Sequence, residues 1–246
     1  TLLRVKLARL YSDWFRCLAG AALFLLFVHH GAFAQDADAP IDAGNRVALV
    51  IGNGGYRYIT PLDNPANDAQ AIAEKLWESG YEVIEVIDAD YETMLAKVAT
   101  FRSRLRKGSE AFLFYAGHGV QIDGRNYLLP ISVAPTGLDD LKEQSIDAQH
   151  LINEMNASGA RMMVLVFDAC RNNPFETDNV ANSERISDRA VEIKGGNAEV
   201  VAQGLGEIAR AGRTGLAEMS AGATETIIGF ATAPGDVAED GTGRHS

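Results

Sequence analysis

The stretch EAFLFYAGHG, residues 110–119, decides the fold. Residues 111–116 are apolar without a break, and the run stops at Gly117-His118-Gly119. A strand with one wet face alternates in polarity, whereas an unbroken short run marks a strand buried on both faces, as in parallel sheets. RVALVIGN (46–53) and RMMVLVFDAC (161–170) repeat the pattern. YEVIEVI (81–87) alternates like a strand, and TIIGFATAPG (226–235) supplies one more.

Helical patterns separate these runs. NDAQAIAEKLWESG (67–80) places Ala71, Ile72 and Leu76 at helical spacing, with Asn67 as N-cap and Gly80 as stop. DYETMLAKVATFRSRLRKG (90–108) closes on a basic turn and a glycine, which suits the helix dipole. DAQHLINEMNASG (147–159) is a shorter helix capped by Asp147, and Asp123-Gly124 in VQIDGRNYLLP (120–130) signals a hairpin. Strands alternating with helices predict a mostly parallel sheet covered on both faces.

In open parallel sheets, ligands gather at the carboxyl ends of the strands. Parallel pairing would bring His118 and Cys170 to one edge, each at the end of a buried run. A buried thiol is an inert small hydrophobe, but Cys170 stands between Asp168 and Arg171 at a strand end, where a thiol can act as nucleophile. An imidazole beside it would take the thiol proton and return it to a leaving amine. The glycines around His118 let the main chain approach a substrate, so the N–H groups of Gly119 and Cys170 are the candidate oxyanion hole. IGNGGY (51–56) departs from the dinucleotide fingerprint, with Tyr56 near where the third glycine belongs. His150 has no second histidine four residues on, and no zinc spacing occurs.

These residues resemble the caspase-like cysteine peptidases of clan CD, family C14, above all the bacterial metacaspase-related members. RVALVIGNGGY (46–56), LDNPANDAQAIAEKL (62–76), FLFYAGHGVQIDGRNYLLP (112–130) and VLVFDACRNNPF (164–175) carry the likeness, and residues 215–246 extend it. Caspases place their histidine about 50 residues before a Q-A-C cysteine; here D-A-C lies 52 residues after His118. The resemblance implies a caspase-like (caspase-hemoglobinase) three-layer α/β sandwich with a mostly parallel central sheet. It also implies a Cys170–His118 dyad in a cysteine-type endopeptidase of protein or peptide substrates. Metacaspases and paracaspases are similar in having an acid two residues before the cysteine and another in an N-D-A-like motif, here Asp168 and Asp68. Two carboxylates in a partly dry pocket favour arginine or lysine at P1. Asp68 also fits a plain role at a helix start, and Asp63 is the alternative acid. The rival expectation is a catalytically silent caspase-like interaction module.

Residues 1–34 read as a signal peptide: Arg4, Lys6, Arg9 and Arg16 precede the apolar CLAGAALFLLFV (17–28), and Ala32 and Ala34 set a cleavage site before Gln35. This predicts an exported protein, periplasmic or secreted, with no stable membrane insertion after cleavage; an uncleaved membrane anchor is the alternative. The whole chain of 246 residues has a formal charge of −11. The leading segment holds four of its basic residues and one acid, so the remainder carries −14, which disfavours nucleic acid as a partner. Residues 35–45 read as a linker, 46–176 as a large-subunit region, 177–223 as a long flexible loop and 224–246 as the start of a small-subunit region, apparently truncated. Within the loop, Arg210 and Arg213 are candidate self-cleavage sites for an enzyme of basic specificity. The chemistry requires no cofactor. Family members often require calcium, for which Asp139, Asp140, Glu143 and Asp178 are the oxygen donors considered.

Overall fold

The computed structural model describes residues 44–170, 174–175, 197–212, 216–222 and 224–231. Five strands make a wholly parallel sheet: β1 (Arg46–Gly52), β2 (Glu82–Ile87), β3 (Glu110–Ile122), β6 (Met162–Cys170) and β7 (Glu225–Phe230), in the order β2-β1-β3-β6-β7. Beyond Gly117, β3 runs on and joins β4 (Arg125–Leu128) and β5 (Ile146–Asp147) in an antiparallel ribbon. The β3–β4 turn is Asp123-Gly124, with φ of +52° and +76°, as the sequence predicts.

The unbroken apolar runs are explained by helices on both faces. On one, α1 (Pro65–Glu78) sets Ala69, Ala73 and Leu76 against Ala48, Val50, Phe114 and Ala116. On the other, α2 (Tyr91–Arg104) and α4 (Ala148–Ala157) bring Met94, Val98, Phe101, Leu151, Ile152 and Met155 to Leu49, Ile51, Leu113, Leu165 and Phe167. The sandwich thus has the three layers expected. Because β1 feeds β2 on one side while β3 lies on the other, the switch of strand order falls between β1 and β3. A ligand crevice is expected there, outside the carboxyl ends.

Three boundaries differ from expectation. Helix α1 begins at Pro65 after Asn64, not after Asn67, because proline at the first helical position loses no hydrogen bond and pre-sets φ. A short helix α3 (Leu138–Glu143) escapes the periodicity reading because it is under two turns long. The expected structureless loop 177–223 contains α5 (Ala198–Ala211), which Asn197 caps through its side chain. Val201, Leu205 and Ile208 of α5 are buried in a second core with Val120, Ile122, Leu129, Leu141 and Phe175. That apolar spacing holds a helix within a Gly- and Ala-rich stretch. The expected signal segment 1–34, and most of the linker that follows it, lie outside the described residues. No helix among the described residues is long and apolar enough to cross a membrane.

Helix α2 starts at a capping bond, Thr93 N–H to the Asp90 carboxylate at 2.9 Å. The hydrogen bond with Thr93 holds the Asp90 carboxyl below its ordinary value. A depressed folded-state value stabilises the fold above the unfolded value, and that contribution disappears as pH falls through the acid range. Asp90→Ala is therefore expected to lower the melting temperature at pH 7, and to lower it progressively less as pH falls through the folded-state value, as calorimetry across the acid range will show.

Candidate active site

His118 lies on β3 just past Gly117, whose φ of +149° belongs to the region that favours glycine. A Cβ there would stand 2.8 Å from the Tyr56 hydroxyl, 2.9 Å from that of Tyr115 and 3.0 Å from the Asn53 carbonyl. His118 is buried, 6% exposed. Its Nε2 lies 2.8 Å from the Thr60 carbonyl oxygen, and the Tyr56 ring packs on it at 4.6 Å between centroids. A carbonyl only accepts, so Nε2 carries a proton, and Nδ1 is the basic nitrogen of the neutral ring.

The β3–β6 register pairs Ala116 with Asp168, Gly117 with Ala169 and His118 with Cys170. Neighbouring strands lie about 4.8 Å apart, so the backbones of the two expected dyad residues are direct neighbours. The Cys170 side chain is outside the described residues. Gly119 is buried one position further along β3, opposite Leu128, and a Cβ on it would meet Leu216 at 3.2 Å and Ala169 at 3.4 Å.

Asp68 and Asp168 both lie on the α1 side of the sheet, toward its carboxyl end. Helix α1 starts over the carboxyl end of β1, so tightly that a Cβ on Gly52 would lie 2.3 Å from the Pro65 carbonyl oxygen. Its first turn carries Asp68, half-buried. Asp168, also half-buried, follows Val166 by two residues, and Val166 packs against the α1 side of the sheet. Asp63 is exposed before the helix. Arg210 is exposed in the last turn of α5, so a cut there requires that turn to unwind; Arg213 lies outside the described residues.

The glycine-rich turn after β1 is occupied by the protein's own acid. Gly54 and Gly55 N–H donate to the Asp88 carboxylate at 2.9 and 2.7 Å. Among the acids considered for calcium, Asp140 accepts bonds from the Thr136 backbone, the Thr136 hydroxyl and Gln144, at 2.7–2.9 Å. Asp178 is outside the described residues, among which no cluster of three metal-ligating side chains occurs.

Sequence reasoning missed Thr60, whose contribution is a main-chain oxygen and leaves no trace in residue type. It also missed a strap over residues 216–222. Asn126 exchanges two bonds with the Ala217 backbone at 2.9 and 2.7 Å. Gln149 does the same with Ser220 at 3.2 and 3.0 Å, and Asn156 donates to the Ala221 carbonyl at 3.3 Å. These carboxamides hold Leu216 behind Gly119.

The caspase domain family model matches residues 45–246. The chain belongs to the caspase-domain peptidase family. The chain is 30% identical over 137 residues to human mucosa-associated lymphoid tissue lymphoma translocation protein 1, covering 56% of this chain and 16% of that protein. The mouse homolog is 29% identical over 129 residues, covering 52% of this chain and 15% of the relative. The chain thus spans under a fifth of the length of these relatives. A solved structure, protein GSU0716 from Geobacter sulfurreducens, aligns with a TM-score of 0.42 at 17% identity, over 51% of this chain and 50% of its own.

Proposed function

We propose that this caspase domain is a cysteine endopeptidase cutting protein or peptide substrates after arginine or lysine. The observation that carries the reading is the pairing of His118 with Cys170 at the carboxyl edge of adjacent parallel strands. In this reading residues 46–176 form the large-subunit region and 224–246 begin the small-subunit region. The contact between Nε2 and the Thr60 carbonyl leaves Nδ1 to take the Cys170 proton. The thiolate attacks the scissile carbonyl carbon, and the oxyanion is met by the N–H groups of Gly119 and Cys170. The imidazolium then protonates the leaving amine, and water, deprotonated by the same ring, hydrolyses the thioester. In this reading no cofactor takes part in these steps, and calcium acts only as an activator.

Asp68 and Asp168 give the pocket its charge. A guanidinium shared between two carboxylates is recognised in a planar, two-pronged way that lysine meets less well. Asp168→Asn is expected to lower kcat/KM for arginine-terminated fluorogenic peptides by about 30-fold, mostly through KM, because a hydrogen bond to a charged group is worth about 2 kcal/mol. Unchanged kinetics, or wild-type preference for aspartate at P1, would reject this pocket. The assay is run with and without calcium.

A further inference from the structure

We infer that Tyr56 and Tyr115 are positioning residues for His118, gripping its main-chain N–H and C=O so that its ring stays on the Thr60 carbonyl. The inference rests on the reading of His118 as the catalytic base. The His118 N–H donates to the Tyr56 hydroxyl at 2.7 Å. The Tyr115 hydroxyl donates to the His118 carbonyl at 2.6 Å, and the Leu129 N–H donates to the same oxygen at 3.0 Å. The two hydroxyls lie 3.3 Å apart, and each is within 3.2 Å of the Leu129 carbonyl.

A hydroxyl has one proton to give. The shortest contact assigns that of Tyr115 to His118, and the Tyr56 oxygen, already accepting from His118, directs its own proton to Leu129. Both tyrosines are buried, at 4% and 0% exposure. A buried phenol costs free energy unless its hydroxyl is bonded, and phenylalanine would fill the same volume without that cost. Here each hydroxyl bonds the main chain of His118, and Tyr56 ties that histidine to the Leu129 carbonyl as well. Gly117 completes the arrangement, since any side chain would strike both hydroxyls.

Tyr56 also links the histidine to the segment that orients its ring. Residues 56–60 reach His118 three times: through the Tyr56 hydroxyl, the Tyr56 ring face and the Thr60 carbonyl. The segment is itself tied down, by Arg57 N–H to the Ile131 carbonyl at 3.1 Å and by Ile59, 1% exposed in the second core. Removing the Tyr56 hydroxyl leaves the His118 N–H without that acceptor and loosens the hold on the ring.

The test uses Tyr56→Phe and Tyr115→Phe in the full chain, with His118 ring signals in long-range ¹H–¹⁵N spectra assigned against His118→Gln. The wild type is expected to show one tautomer, protonated at Nε2. Tyr56→Phe is expected to show a tautomer mixture and about 10-fold lower kcat for arginine-terminated peptides, with KM nearly unchanged. Tyr115→Phe is expected to move both readings the same way, by about threefold in kcat. A folded Tyr56→Phe with the wild-type ring spectrum overturns the inference. Should that variant not fold, Tyr115→Phe decides: a wild-type spectrum overturns the inference and a tautomer mixture supports it. The ring spectrum needs no turnover, so a wild type that cleaves nothing would count against the peptidase reading alone.

Discussion

Cys170→Ala is expected to abolish cleavage after arginine, lowering kcat/KM by about 10⁴-fold or more while the melting temperature stays near wild type. The nucleophile begins each turnover, and no neighbouring group replaces a thiolate. His118→Ala is expected to cost a similar factor, and the double variant little more than either alone, because groups acting as one unit are not additive. That non-additivity distinguishes a dyad from two independent contributors. Two single losses that multiplied in the double variant would show that sulfur and imidazole serve separate steps. Residual activity is measured with enzyme from a host free of background peptidase, since a trace of contaminant would mask a loss this large.

The second large effect is expected at a residue that touches no substrate. Gly117→Ala places a methyl group within 2.8–3.0 Å of two buried hydroxyls and a carbonyl, at a φ of +149°. Backbone strain and overpacking together are expected to cost about 3 kcal/mol in denaturant unfolding. The protein relieves the clash by shifting His118 or the Tyr56–Thr60 segment, and a displacement of about 1 Å in a reacting group lowers kcat by about 100-fold. The variant is compared with wild type at a temperature where both are folded. Wild-type stability together with wild-type kcat would mean that the glycine is incidental.

The layered sheet was legible because its strands are written in unbroken apolar runs, and Gly117-His118-Gly119 and Asp168-Ala169-Cys170 end two of them. Parallel pairing then follows from the intervening helices, and with it the common edge of His118 and Cys170. Helix α5 was less legible. Val201, Leu205 and Ile208 lie at helical spacing, but glycines at 204 and 206 lower helix propensity, and only burial in the second core offsets them. The contacts around His118 were illegible for another reason. The Thr60 carbonyl has no sequence signature, and Tyr56 and Tyr115 look like ordinary core aromatics until tertiary structure brings 56, 115 and 129 to one point. The carboxamide strap is similar: Asn126 and Gln149 bond to backbone 91 and 71 residues away, a separation no local pattern encodes.

The central claim is tested most directly by covalent capture. The protein is incubated with peptidyl acyloxymethyl ketones ending in arginine or in aspartate, digested, and mapped by mass spectrometry. The account predicts that the arginine reagent labels Cys170 much faster than the aspartate reagent, and that His118→Ala abolishes the adduct. An adduct at another residue, equal labelling by the two reagents, or labelling that survives loss of His118 would contradict it.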